Sequence, residues 1–441
     1  MNSPSWVRSR HRTKHDCCDW RGSLPWLFFA LGLASTTGVM ASIVGLTGGE
    51  WWGISSQRVV ELGLNSAAVN PGIFSSWTYW LVWVVPSIAS CVVGMAIVLN
   101  SDRRAVPEPV SIHPNELRVQ AAVAAVLCLV ALSWALHTLN ALSAAGINVI
   151  FDSWGGDLKS HYLARAESFQ SAGFYTHCLV QTGIPTLLIY LFVAGTTVSL
   201  PSRHKAIVLL GFATCASLYF VVVLAAHQKL LIVNLMTICG ISVICNSRRI
   251  NRKAIMVYAA LIVMFIHTIM ARMMPDWSLV KSIDHLIGRT GDAYPFAIMR
   301  GIESNGMSWS CLFWTIGVAL PGSDPNLNVT IGETMYSGSE TYVAIAAPVW
   351  AFASDGVVGW ALSLVLTGVL LRFFQVPRSL AMGCIHRRVL VIMGTLAAYY
   401  LTQVPIVGVL RWSYSVITPC VVVAIVALLS RKQSSAMRCN Y

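Results

Sequence analysis

The sequence predicts an all-α polytopic membrane protein. It has about ten transmembrane helices, both termini in the cytoplasm, and one large outer loop between spans seven and eight. Three observations predict this. Of 441 residues, 56% are hydrophobic and 11% are charged, where a soluble domain carries about 25% charged residues. About ten apolar runs of roughly 20 residues follow one another, each long enough to cross a bilayer as a helix. Lys and Arg are shared very unequally between alternate connections, as the positive-inside rule requires of a multi-span chain. The mean hydropathy of +0.66 excludes an ordinary cytosolic enzyme, and the scarcity of charge excludes intrinsic disorder.

Residues 1–24 are polar and basic and read as a cytoplasmic segment. They are not a cleavable signal, because the apolar run behind them is too long for a signal core. The runs cover 25–46, 76–99, 119–140, 174–199, 206–226, 229–246, 254–271, 342–371, 389–406 and 414–430. Residues 25–271 thus hold the first seven spans, 272–341 the large outer loop, 342–430 the C-terminal spans, and 431–441 a cytoplasmic tail. The eighth run contains Ser354-Asp355-Gly356, which reads as a broken pair or as a re-entrant segment plus a span.

Orientation comes from the cations. The N-terminus, Arg103, Arg104, Arg118, Arg203, Lys205, the Arg248–Lys253 cluster, Arg372, Arg378, Arg387, Arg388 and the tail fall on one side. They make up 21 of the 30 basic residues. The other side holds Arg58, Lys159, Arg165, Lys229, Arg272, Lys281, Arg289, Arg300 and Arg411. The net charge of +12 therefore reports topology and contact with anionic headgroups rather than nucleic acid. The twelve cysteines contain no CxxC spacing, so no metal site or redox motif is assigned. No GxxxxGK[ST] is present, which argues against an ATP-driven pump.

Acidic residues concentrate in the outer connections, and so does chain length. Loops 47–75, 141–173 and 272–341 are the long ones, and long loops in a packed protein are commonly functional. In the largest, Asp284-His285-Leu286-Ile287-Gly288-Arg289 precedes Asp292, Tyr294, Arg300 and Glu303. Two guanidiniums offer planar donor forks suited to phosphate oxygens, and a nearby imidazole or carboxylate can take a proton from a hydroxyl. A solvated loop with internal ion pairs is the plainer reading. His227-Gln228-Lys229 forms a short outer turn between two spans. It is either functional polar chemistry at the interface or a turn from which Lys229 snorkels. Glu333 stands just before the eighth run and Asp355 within it. Asp355 is either a costly intramembrane carboxylate or the residue that starts a new helix. Arg411 is an interfacial anchor or a further phosphate ligand, and His267, inside the seventh run, reads as a buried, hydrogen-bonded histidine.

Ile331-Gly332-Glu333-Thr334-Met335-Tyr336, followed by Asp355-Gly356-Val357-Val358-Gly359, resembles the passage entering the span after the large loop in bacterial O-antigen, or oligosaccharide repeat-unit, polymerases. These are similar in architecture to O-antigen ligases and other C-type glycosyltransferases. His227-Gln228-Lys229 and Ile287-Gly288-Arg289 resemble that family's short polar turn and loop arginine, and the match covers about residues 206–372. The resemblance implies an enzyme of the bacterial cytoplasmic membrane that transfers a glycan from undecaprenyl pyrophosphate to another lipid-linked repeat unit, inverting at the anomeric carbon. It implies no cofactor, metal or nucleotide. It implies the lipid-linked glycan, membrane lipids and a chain-length regulator protein as partners, and no nucleic acid. The catalytic base would be Glu333, with His285 second. Arg289, Arg300 and Lys229, with Arg411 and Tyr336, would hold pyrophosphate and glycan, and Trp154, Tyr162, Trp277 and Tyr294 would stack on sugars. A polysaccharide-lipid flippase and a ligase are the alternatives, followed by an O-acyltransferase.

Overall fold

The computed structural model describes residues 24–33, 114–140, 175–196, 200–226, 229–246, 345–375, 384–403 and 417–438, with isolated positions at 85, 89, 173, between 256 and 271, at 278, 279, 406 and 409. The described residues form eight helices: α1 (Leu24–Leu33), α2 (Pro114–Thr138), α3 (Tyr175–Thr196), α4 (Ser202–Ala225), α5 (Lys229–Asn246), α6 (Ala347–Gln375), α7 (Cys384–Tyr400) and α8 (Ile417–Arg438). Positions such as Met256, Leu261, Phe265 and His267 are helical as well, within the seventh expected span. Four helices, α2, α3, α4 and α6, are long and apolar enough to cross a membrane. The expected all-helical, span-rich class therefore holds over the described residues. Of the loop 272–341, Ser278 and Leu279 are described.

Local sequence explains the helix ends. Pro114 opens α2, where the missing N–H removes no helical bond, and Glu116 lies in its first turn, favourably placed toward the positive end of the helix dipole. The Pro201 carbonyl accepts the His204 and Lys205 N–H groups at 2.9 and 3.0 Å and so starts α4. Within α3, Leu179–Gly183 is a π-turn directly before Pro185. A proline cannot donate to the carbonyl four residues back and its ring crowds that carbonyl, so the ladder widens there.

The helices reach beyond the apolar runs at one end of the bundle. α2 and α7 begin, and α8 ends, about one turn or more outside 119–140, 389–406 and 414–430. The added turns carry Arg118, Arg387, Arg388, Arg431 and Lys432. Helical hydrogen bonding does not stop where hydrocarbon stops, so polar, basic turns continue into the interface. The 431–441 tail accordingly begins as helix, through Arg438.

α3 occupies the middle, packed against α2, α4, α5, α7 and α8. Its residues Ile184–Leu191 are all buried. The surrounding helices are apolar on both sides. α2 turns Val126, Leu129, Val130 and Trp134 outward, and α4 turns Ile207 and Leu210 outward. Apolar side chains on an outer face suit lipid rather than water.

Inter-helix bonds fix which ends meet. The Tyr190 hydroxyl donates to Gln120 Oε1 at 3.2 Å and lies 3.1 Å from His386 Nε2. This joins the end of α3 to the starts of α2 and α7. At the opposite end, Tyr219 donates to the Val180 carbonyl at 2.8 Å and Trp134 Nε1 to Thr176 Oγ1 at 3.4 Å. Arg118, Arg203, Lys205, Arg387 and Arg388 therefore share one end of the bundle, while Lys229 opens α5 at the other.

Candidate functional site

The end away from the arginines is where the sequence directs attention, and there one joint gathers four helices. α7 stops at Tyr400 and passes into the turn Leu401–Thr402–Gln403. The last carbonyls of a helix and the first N–H groups of another both lack intrahelical partners. Here they satisfy each other: Ile345 N donates to the Gln403 carbonyl and Ala347 N to the Leu401 carbonyl, both at 2.9 Å. The chain arriving at α6 is thereby pinned to the end of α7. Pro348, in the first turn of α6, forfeits no bond there.

Side chains extend the joint. Asn234, buried on α5 little more than one turn inside Lys229, donates to the Tyr400 hydroxyl. Gln403 Nε2 donates to the Tyr399 hydroxyl at 2.7 Å. α1 approaches through Gly32, where any Cβ would sit 2.8 Å from the Thr402 side chain.

Below the joint, α6 is broken, at the place where the sequence suggests a broken pair or a re-entrant segment plus a span. Gly356 has φ 63° and ψ −150°, a region essentially restricted to glycine. The turn is sharp. In a straight helix residues 351 and 359 lie two turns, about 12 Å, apart, yet a Cβ on Gly359 would fall 2.5 Å from both the Ala351 carbonyl oxygen and the Asp355 Cβ. Ser354-Asp355-Gly356 thus ends one helical stretch and starts another, and the Asp355 side chain is 1% exposed at the elbow.

Of the residues expected to carry chemistry, Lys229 is placed as the first residue of α5. Glu333, Tyr336, His285, Arg289, Arg300 and Arg411 lie outside the described residues, as do His227, Trp154, Tyr162, Trp277 and Tyr294. The structure does bring together flanks of three candidate segments: the start of α5, the stretch Ile345–Ala347 that follows Glu333 and Tyr336 in sequence, and the turn Leu401–Gln403 that precedes Arg411. His267 is half-buried. Sequence reasoning missed Asn234, Tyr399, Tyr400 and Gln403. Polar and aromatic residues near the ends of the spans 229–246 and 389–406 were the available signal. Among the described residues no group of three or more His, Cys, Asp or Glu could hold a metal ion. Comparison with protein-family models, curated proteins and solved structures returned no match.

Proposed function

We propose that this chain is an integral-membrane glycosyltransferase that polymerises undecaprenyl-pyrophosphate-linked oligosaccharide repeat units into a surface polysaccharide, on the outer face of the bacterial cytoplasmic membrane. The observation that supports the reading is the joint. It ties the helix that Lys229 opens to the chain following Glu333 and Tyr336 and to the chain leading to Arg411, at the end of the bundle away from the clustered arginines.

In this scheme Glu333 takes the proton of an acceptor sugar hydroxyl, with His285 as the second candidate. The freed oxygen attacks the anomeric carbon of the donor, and the bond from that carbon to the pyrophosphate oxygen breaks with inversion. The bonding electrons leave on undecaprenyl pyrophosphate. Arg289, Arg300 and Lys229 hold the negative charge that grows there, with Arg411 and Tyr336 as further ligands of pyrophosphate and glycan. Fixed cations in a partly dry site stabilise such charge without reorganising.

The test is chain length. Arg289→Ala and Arg300→Ala should insert and fold in the membrane but lose long glycan chains, with elongation reduced by about 10²-fold or more. Normal chain-length distributions in both variants would remove the assignment.

A second reading, a flippase for a polysaccharide lipid, draws on the break in α6, since broken helices commonly form transporter sites. Purified protein in liposomes separates the two readings. Elongation of lipid-linked oligosaccharide supports the polymerase, and transfer of unaltered substrate between leaflets supports the flippase.

A further inference from the structure

α2 and α4 run the same way. Both begin at the arginine-rich end, and their later residues Trp134 and Tyr219 both reach the start of α3. Between them the buried side chains of Cys128 and Cys215 meet. Arg118 stands ten residues before Cys128, and Arg203, His204 and Lys205 stand twelve, eleven and ten before Cys215. At 1.5 Å per residue all four lie about 15–18 Å from the thiols, at one depth to within a helical turn.

Contacts with α3 fix how each helix is turned. Gln120 and Trp134 on α2, and Tyr219 on α4, point at α3, to the Tyr190 hydroxyl, Thr176 Oγ1 and the Val180 carbonyl. Successive residues turn by about 100°, so sixteen residues amount to about 160°. Sixteen separate Arg118 from Trp134, and sixteen separate Arg203 from Tyr219. Both guanidiniums therefore leave their helices on the flank away from α3. His204 is eleven residues from Cys215, about 20° out of line with it, and so faces α2 between them. Lys205 is about 40° from Tyr219 and falls on the α3 side.

The donors on that flank are available to a ligand. Arg118 uses one N–H, from Nη1 to Asn115 Oδ1 at 3.4 Å. Its Nε, and Nδ1 of His204, have no hydrogen-bond partner among the described residues. Arg203 is exposed. Glu116, the acid nearest to Arg118 in sequence, lies about 160° round α2 from it. Deeper in, the same flank is apolar. Leu129, eleven residues after Arg118, and Ile207 and Leu210, four and seven after Arg203, point the same way and are exposed. A strip of hydrocarbon thus leads to cations at the end of the bundle. An acyl chain suits the first and a phosphodiester the second; a soluble phosphate suits the cations alone.

We infer that the seam between α2 and α4 binds an anionic phospholipid, its phosphate held by Arg118, Arg203 and His204 and an acyl chain lying along Leu129, Ile207 and Leu210. The site is independent of glycan transfer, because its occupancy is read from stability.

The experiment uses the purified full chain in dodecyl maltoside micelles. Thermal unfolding is followed at constant pH and ionic strength while dioleoyl phosphatidylglycerol, dioleoyl phosphatidylcholine or glycerol phosphate is added. A ligand of the folded state raises Tm with its concentration. Phosphatidylglycerol should do so and saturate. Phosphatidylcholine, whose ammonium cancels the phosphate charge, and glycerol phosphate, which has no acyl chain, should not. Arg118→Gln and Arg203→Gln should each raise the half-saturating concentration by about tenfold, as expected for a lost charge-assisted hydrogen bond. Lys205→Gln removes the same charge from the same turn of α4 and should change it less than about threefold, because a charge off the site is screened. Equal Tm in the two lipids overturns the site. So does an equal loss in Lys205→Gln, which would mean diffuse surface charge. A full shift with glycerol phosphate assigns a soluble phosphate and overturns the lipid. If Arg118→Gln fails to assemble, the exposed Arg203 decides, and an unchanged half-saturation in Arg203→Gln rejects the ligand set.

Discussion

The two stretches of α6 on either side of Gly356 have similar apolar character and opposite surroundings. Ile345 to Ala353 are buried on every side, with Val349, Trp350, Ala351 and Phe352 all 3% exposed or less. Beyond the elbow one face is open, and Val357, Val365 and Val369 are each 60% exposed or more. In water such a difference would be written in the sequence, because an outward face must be polar. In a bilayer the lipid is as apolar as the interior, so packing and buried polar groups separate the two stretches, and hydropathy does not.

The largest effects should come from the enclosed stretch. Trp350→Ala removes an indole from a site without lipid to refill it. Transfer out of water contributes little here. What remains is the void, at about 24 cal/mol per Å³ left open, or about 2–3 kcal/mol in all. Phe373→Ala, on the open face, should cost far less, because lipid chains close over the gap. Reversible unfolding in mixed micelles measures both. Equal losses would mean that the stretch around Trp350 is not enclosed.

Glycines sharpen the comparison at the elbow. Gly359→Ala would push a methyl group against backbone 2.5 Å away, which cannot yield as a flexible side chain does. About 1–3 kcal/mol of destabilisation is expected. In the same helix Gly368 has nothing within 4 Å of its would-be Cβ, so Gly368→Ala should stabilise by roughly 0.5–1 kcal/mol through restored helix propensity. Opposite signs for two identical substitutions would locate the fold-back at Gly356. The same sign for both would place the break elsewhere.

How much of this was legible beforehand varies with the physics. Four of the expected spans were, in α2, α3, α4 and α6, because a run of about 20 apolar residues has few other uses. The 229–246 run coincides with α5, Lys229–Asn246. The break in α6 was legible too, since Asp-Gly inside an apolar run is costly without a structural reason. The joint was not. Asn234, Tyr400 and Gln403 form it by meeting across the bundle, and one-dimensional periodicity carries no distance between helices. The basic extensions of α2, α7 and α8 were missed because hydropathy ends with the hydrocarbon while backbone hydrogen bonding does not. Of the residues that carry the proposed chemistry, Lys229 alone falls among the described ones.

The smallest effect is the most direct test of what faces lipid. Val365 is 64% exposed and Ala353, on the enclosed stretch before the elbow, is 1% exposed. Val365→Leu adds volume into fluid hydrocarbon and should change stability by less than about 0.5 kcal/mol. Ala353→Leu adds more volume into fixed neighbours, where overpacking costs about 1–3 kcal/mol. The argument depends on the medium as well as on the fold. If Val365→Leu proved as damaging as Ala353→Leu, the outer face of α6 would be covered by protein, a second copy of this chain or another partner, rather than by lipid. A dependence of that damage on protein concentration would then identify self-association.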